Sequence, residues 1–195
     1  MRKKIIQIYA LSLMLAFALG IFALPAYAQG GDGAAATQSS AAVLEKRKQA
    51  FHATGLPLPR FVSLGKEEVY VRAGPGQKYP IEWVYTRKNY PVEVILEFGN
   101  WRKVRDIEGE EGWVFHALLS GKRHAIIKGK GHISVYTKAQ KSETNKSRRV
   151  AKLEPLVVVA LEGCRDLWCK VSVKGYRGWV QRKSLWGVYE HEFFD

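Results

Sequence analysis

The chain has 195 residues, 47% hydrophobic and 25% charged, and this ordinary globular usage excludes a wholly disordered, collagenous or multi-span membrane protein. Its 31 Lys and Arg against 18 Asp and Glu give a formal charge of +13, a long-range attraction for any polyanion.

Arg2, Lys3 and Lys4 precede an apolar run from Ile5 to Leu24 that ends at Pro25-Ala26-Tyr27-Ala28. A basic start, an apolar stretch and a small-x-small pair make residues 1–28 a signal-peptide pattern, with cleavage expected after Ala28. The run is also long enough to serve as a retained anchor. The Ala-Tyr-Ala site and the Gly-, Ala- and Ser-rich stretch behind it favour cleavage. Processing removes three positive charges and no negative one, leaving +10 on residues 29–195. Export separates the chain from nucleic acid, so no nucleic-acid partner is expected, and the membrane is met only transiently through the signal peptide. The charge then points to the anions of the cell envelope.

Residues 29–60 read as a linker. The first twelve have no apolar periodicity, and a weak amphipathic pattern around Val43, Leu44, Ala50 and Phe51 allows a short helix that Pro57 and Pro59 would stop. Two cysteines occur, Cys164 and Cys169. In an exported segment a disulfide is the default, since the spacing lacks the two-residue gap of a thiol redox pair and no second pair is present for zinc.

From Phe61 the texture becomes short runs of Val, Ile, Tyr and Trp between Gly, Pro and Asn turns, the pattern of a small all-β domain. The region matches itself. Val69-Tyr70-Val71-Arg72 lies 64 positions before Ile133-Ser134-Val135-Tyr136, and Tyr90-Pro91-Val92-Glu93-Val94 lies 64 before Glu154-Pro155-Leu156-Val157-Val158. The offset becomes 67 at Trp101-Arg102-Lys103-Val104 against Trp168-Cys169-Lys170-Val171, then 66 at Gly112-Trp113-Val114 against Gly178-Trp179-Val180. Two tandem units are expected, 61–122 and 124–187, each a partly closed five-stranded β-barrel, with 188–195 as a tail.

The run Val69-Tyr70-Val71-Arg72-Ala73-Gly74-Pro75-Gly76, then Trp101-x-Lys103-Val104, then Gly112-Trp113-Val114 resembles the bacterial SH3-like (SH3b) domain. The second copy departs from it at Val135-Tyr136-Thr137-Lys138-Ala139. It keeps the later motifs, and with Cys164, Cys169 and Leu185-Trp186-Gly187-Val188-Tyr189 it resembles an exported proteobacterial branch of that family with a cysteine-clipped hairpin. The fold implied is all-β, two tandem SH3-like barrels. The function implied is a non-catalytic module, needing no cofactor, that binds peptidoglycan, its stem peptides or an envelope protein in the periplasm.

The residues add little in favour of catalysis. The five histidines are isolated from one another in sequence, no Gly-x-Ser-x-Gly or phosphate-binding loop occurs, and no metal site is expected. The acidic run Glu108-Gly109-Glu110-Glu111 reads as a solvated hairpin tip. Trp113 and Trp179 are expected to be core, with the preceding Gly making room for the ring. Trp101 and Trp168 have opposite parity to Val104 and Val171 and should lie off the core. By resemblance to eukaryotic SH3 domains, a Trp at this place lines a ligand groove. Tyr79, Trp83 and Tyr85 are candidates for the opposite wall, Tyr136 for the second unit, and Arg102 and Lys103 for electrostatic contact. Phe115-His116-Ala117 and Gln181-Arg182-Lys183 stand where the eukaryotic groove has Pro and Tyr, which argues against polyproline and towards an anionic, amphipathic ligand.

Overall fold

The computed structural model describes residues 3–5, 54–139 and 147–195, and these form two antiparallel sheets. The first contains β1 (Lys3–Ile5), β2 (Arg60–Leu64), β3 (Val69–Arg72), β4 (Ile81–Tyr85), β5 (Pro91–Phe98), β6 (Trp101–Arg105), β7 (Glu111–Phe115) and β8 (Leu119–Ser120), in the order β1-β4-β3-β7-β6-β5-β2-β8. The second contains β9 (His124–Ile127), β10 (Ile133–Tyr136), β11 (Arg149–Leu153), β12 (Val158–Arg165), β13 (Trp168–Val173), β14 (Tyr176–Gln181) and β15 (Leu185–Trp186), in the order β11-β10-β14-β13-β12-β9-β15. A single 3-10 turn precedes β8, His116–Leu118, and another precedes β15, Arg182–Ser184. Apart from β1, which pairs with the outer edge of β4, the two orders coincide strand for strand. The cleavage site after Ala28 and the helical pattern over 41–52 lie outside the described residues.

Alternation makes the cores. In β3, Val69 and Val71 are fully buried while Tyr70 is exposed, because successive side chains of a strand point to opposite faces. Val92, Val94, Val104 and Val114 complete the first interior, and Val135, Val159, Val171 and Val180 stand in the second. The same alternation corrects the expectation for Trp113 and Trp179, which are only half buried, on the face opposite Val114 and Val180. The room made by Gly112 belongs to other residues. A Cβ there would lie 2.3 Å from Val71 Cγ1 and 3.1 Å from the Trp83 ring.

The ladder also moves the repeat register. Asn89 and Leu156 both take positive φ, 64° and 67°, directly before β5 and β12. Val94 pairs with Val104 as Leu161 pairs with Val171. The offset is therefore already 67 at Tyr90, which stands opposite Val157 in the repeat, not Glu154.

The units share a junction. Ile126 of β9 belongs to the first core, and Val158 and Trp186 pack against that core. Phe61 meets Trp186 edge-on at 5.1 Å and Tyr189 at 4.7 Å, and the Tyr189 hydroxyl donates to Glu93 at 2.8 Å. Ser63, fully buried, donates through Oγ to the Lys122 carbonyl at 2.7 Å and lies 2.9 Å from His124 Nδ1. With the hydroxyl proton so committed, Nδ1 carries the proton of that bond, and burial holds the His124 pKa below its ordinary value. Residues 188–195 are no free tail: Glu192 pairs with Arg123, and Phe194 forms a β-bridge with Cys164.

Phe61→Ala removes the ring that both Trp186 and Tyr189 contact. It should destabilise the protein by about 3 kcal/mol and split its urea unfolding, followed by tryptophan fluorescence, into two transitions. A single unshifted transition would show that the junction contributes nothing to coupling.

Candidate functional site

On the outer face of the first sheet, Tyr70 and Arg72 of β3, Trp101 of β6, Phe115 of β7, Gln77 and Leu118 enclose a groove of about 180 Å³. Trp101 and Phe115 meet edge to face with centroids 5.6 Å apart, and Phe115 in turn packs on His116 at 4.9 Å. Arg72 Nη1 donates to the carbonyls of Gln77, at 3.2 Å, and Tyr79, at 2.7 Å. Its Nε and Nη2 have no partner among the described residues, so the groove presents a fixed guanidinium beside three aromatic rings. Such a combination accepts a carboxylate through charge-assisted hydrogen bonds while an apolar group lies on the rings.

The β3–β4 loop sets the position of Arg72's carbonyl partners. Tyr79 lies against Gly74 so closely that a Cβ at that position would stand 2.6 Å from the ring. Only a residue without a side chain lets the loop fold down and bring both carbonyls to Nη1.

The sequence-selected residues separate into distinct places. Trp101 lines the groove and Tyr79 supports its loop. Lys103 shares the outer face of β6 and pairs with Glu111 at 2.7 Å. Trp83 and Tyr85 do not form an opposite wall. Both are core, 9% and 1% exposed, with Tyr85 stacked on Tyr90 at 5.7 Å and its hydroxyl donating to Asp106 at 3.1 Å. Asp106 in turn accepts from the backbone N–H groups of Glu108 and Glu110, so the acidic hairpin tip is an Asx-type turn built on a buried carboxylate. Arg102 also points inward and is buried. Tyr70, Arg72 and Phe115 join the groove beyond the residues expected from sequence, and the alternation carries their signal: Tyr70 and Arg72 alternate with Val69 and Val71, and Phe115 with Val114.

The second unit closes the corresponding groove. Tyr136 replaces Arg72, since each ends its strand opposite the Gly-Trp-Val tryptophan, Tyr136 against Trp179 and Arg72 against Trp113. The Tyr136 ring sits edge-on to Trp168 at 5.9 Å, and Trp168 is 7% exposed. Parity put Trp168 off the core, but a neighbour on another strand covers it. Tyr136 brings no guanidinium to the position of Arg72, and Gln181 occupies that of Phe115.

Beneath the two tryptophans the hairpins are clipped differently. Glu97 pairs with Arg102 across the β5–β6 tip, and Cys164 pairs with Cys169 across the β12–β13 tip, one repeat apart. Cys164 and Cys169 form a disulfide with Cα atoms 4.1 Å apart. Glu97, 1% exposed, accepts from Arg60, from Arg102 Nε at 3.1 Å, and from Thr54 N and Oγ1 at 2.9 and 2.8 Å. Burial alone would raise its pKa, but the bonds from Arg60 and Thr54 outweigh it and hold the carboxyl below its ordinary value. Arg102 Nη1 also donates to the carbonyls of Gly99, at 2.7 Å, and Trp101, at 2.9 Å. The buried ion pair therefore holds the backbone that presents Trp101.

A family model described as bacterial SH3 domain matches residues 65–121 and 141–187, together more than half of the chain. The chain belongs to the bacterial SH3 domain family. The second match begins only past Val135-Tyr136-Thr137-Lys138, where the repeat departs from the family pattern. Comparison with curated proteins gives no match. Among solved structures, NlpC2 from Trichomonas vaginalis is similar at 15% identity over 70% of this chain and 51% of that one, with a TM-score of 0.30. NlpC1 from the same organism is similar at 15% identity over 68% and 47%, with a TM-score of 0.28. The chain spans about half the length of each. In this SH3 domain the aromatic groove and its clip both fall within the first matched segment.

Removing Glu97 leaves two guanidinium groups without their carboxylate. Glu97→Gln should cost about 3–5 kcal/mol, the usual effect of breaking a buried pair. Because the native carboxyl titrates below its unfolded value, its contribution is complete above about pH 4.3 and is lost as pH falls through the lower native value. Acid titration of stability should show this limb in the parent and a flattened one in the variant. Equal limbs would remove Glu97 from the account.

Proposed function

We propose that the protein is an exported, non-catalytic module that attaches to the bacterial cell envelope through the groove of its first unit, with peptidoglycan stem peptides as the ligand. The observation that carries this reading is the Arg72 guanidinium, fixed by two carbonyls and with two nitrogens that have no partner among the described residues, beside Tyr70, Trp101 and Phe115. Stem peptides carry carboxylates on short, partly apolar side chains, which suit one cation against flat rings. Removal of residues 1–28 would leave a net charge of +10, and an excess of that sign concentrates the protein at an anionic wall before specific contact forms. Membership of the bacterial SH3 domain family supports wall association, and the closed groove of the second unit makes binding monovalent.

Against catalysis stands the disposition of the one serine–histidine contact described, Ser63 with His124. Its hydroxyl is fully buried and already donates to a backbone carbonyl.

Sedimentation with purified sacculi tests the reading. Trp101→Ala should weaken binding by about 1–3 kcal/mol at every salt concentration. Added salt should weaken parent and variant together by screening the net charge. Tyr136→Ala, in the closed groove, should leave binding unchanged. Equal sedimentation of parent and Trp101→Ala would overturn the assignment. Capture of a periplasmic protein without sacculus binding would replace the wall by a protein partner.

A further inference from the structure

The register of the repeat reveals a second site, unrelated to the groove. In the first unit Val69 and Val71 pair with Tyr85 and Trp83, while in the second Ile133 and Val135 pair with Leu153 and Ala151. Leu153 therefore replaces Tyr85 and Ala151 replaces Trp83. With the offset of 67 fixed by Asn89 and Leu156, Val157 replaces Tyr90 and Val173 replaces Asp106. Three aromatic residues and the carboxylate they close on in one unit are replaced by aliphatic residues in the other. Trp83, Tyr85, Tyr90 and Asp106 are all buried, whereas Ala151, Val157 and Val173 are only half buried.

The space the rings fill in the first unit is an open cleft in the second. It measures about 720 Å³, is lined by Ala151, Leu153, Val157 and Val173 with Val150, Val158 and Tyr176, and is bordered by Arg87 from the first unit. That volume lies in the roughly 300–1,000 Å³ range of ligand sites. Arg87, Lys152 and Lys174 stand at its edge, and none has a carboxylate partner among the described residues. Among the described residues the acidic one at the edge is Glu154, which lies 3.9 Å from His132 Nε2. An aliphatic interior beneath a cationic rim matches a chain that is apolar along its length and anionic at its end.

We propose that this cleft binds a single-chain anionic amphiphile, an aliphatic chain ending in a carboxylate. The chain occupies the volume that Trp83, Tyr85 and Tyr90 fill in the first unit, and its carboxylate meets Lys152, Lys174 and Arg87. The proposal is independent of wall binding, because no residue of the cleft belongs to the groove.

Equilibrium dialysis of the full protein with dodecanoate below its micelle concentration tests it. Saturable binding of one equivalent is expected, with dodecyltrimethylammonium bound at least tenfold more weakly. Val157→Tyr, which restores the first unit's ring, should abolish dodecanoate binding while leaving the near-ultraviolet circular dichroism of a folded protein. Lys174→Glu, an exposed change that leaves the interior intact, should weaken dodecanoate tenfold or more and narrow its advantage over the cation. Equal binding of the two amphiphiles, no saturation, or indifference to both substitutions would overturn the proposal. So would binding to phosphatidylglycerol vesicles without binding of free dodecanoate, which would make the cationic rim a membrane-surface contact.

Discussion

A guanidinium turned into a protein interior requires a carboxylate, and in the first unit that requirement organises the face that carries the aromatic groove. Strand alternation sends Arg102 inward because Trp101 and Lys103 go outward. Burying the charge alone would be prohibitive. Glu97 meets it and also draws in Arg60 from β2 and Thr54 from the lead-in, so one carboxylate ties the segment before the barrel, its first strand and its central hairpin together. The half-buried Trp101 is thus seated on a hairpin tip whose backbone is bonded to a buried ion pair. A side chain held by fixed backbone has less conformational freedom to lose in any contact it makes.

The two units use one backbone plan to opposite ends. The first fills its interior with Trp83, Tyr85 and Tyr90 and leaves its outer groove open. The second fills its outer groove with Tyr136 against Trp168 and leaves its interior cleft unfilled. Aromatic volume has moved from one side of the sheet to the other. A barrel this small tolerates the exchange because strand pairing, fixed by main-chain bonds and by the rows of buried valines, does not depend on which side holds the rings.

Much of this was legible beforehand. The repeat, its motifs and the β class stand in the residue order, because Gly-Trp-Val and Trp-x-Lys-Val recur at nearly constant spacing. The parity argument for Trp101 needed only Val104. What escaped depends on partners distant in sequence. Trp83 and Tyr85 sit in β4, where three consecutive residues are buried, and the space for Trp83 comes from Gly112 on another strand. Trp168 obeys the same parity as Trp101, yet a tyrosine at the end of β10 covers it. The register error at Tyr90 had a local cause: Pro91 and Pro155 align at 64, and the matched prolines outweighed the positive-φ residues, whose conformation is not written in their identity. The interior cleft was invisible because it is defined by missing volume, which appears only when two copies are compared position by position.

The unlike clips give the halves of the molecule different chemical dependencies. The hairpin under Trp168 is closed by an oxidation that requires an electron acceptor, whereas the hairpin under Trp101 is closed by charge pairing that needs only water at ordinary pH. The unit that carries the aromatic groove can therefore close its hairpin before any thiol has been oxidised. Reductants act on the hairpin clip of the second unit, and acid acts on the hairpin clip of the first. One chain thus contains two hairpins of the same shape whose integrity can be addressed separately, one by electrons and one by protons.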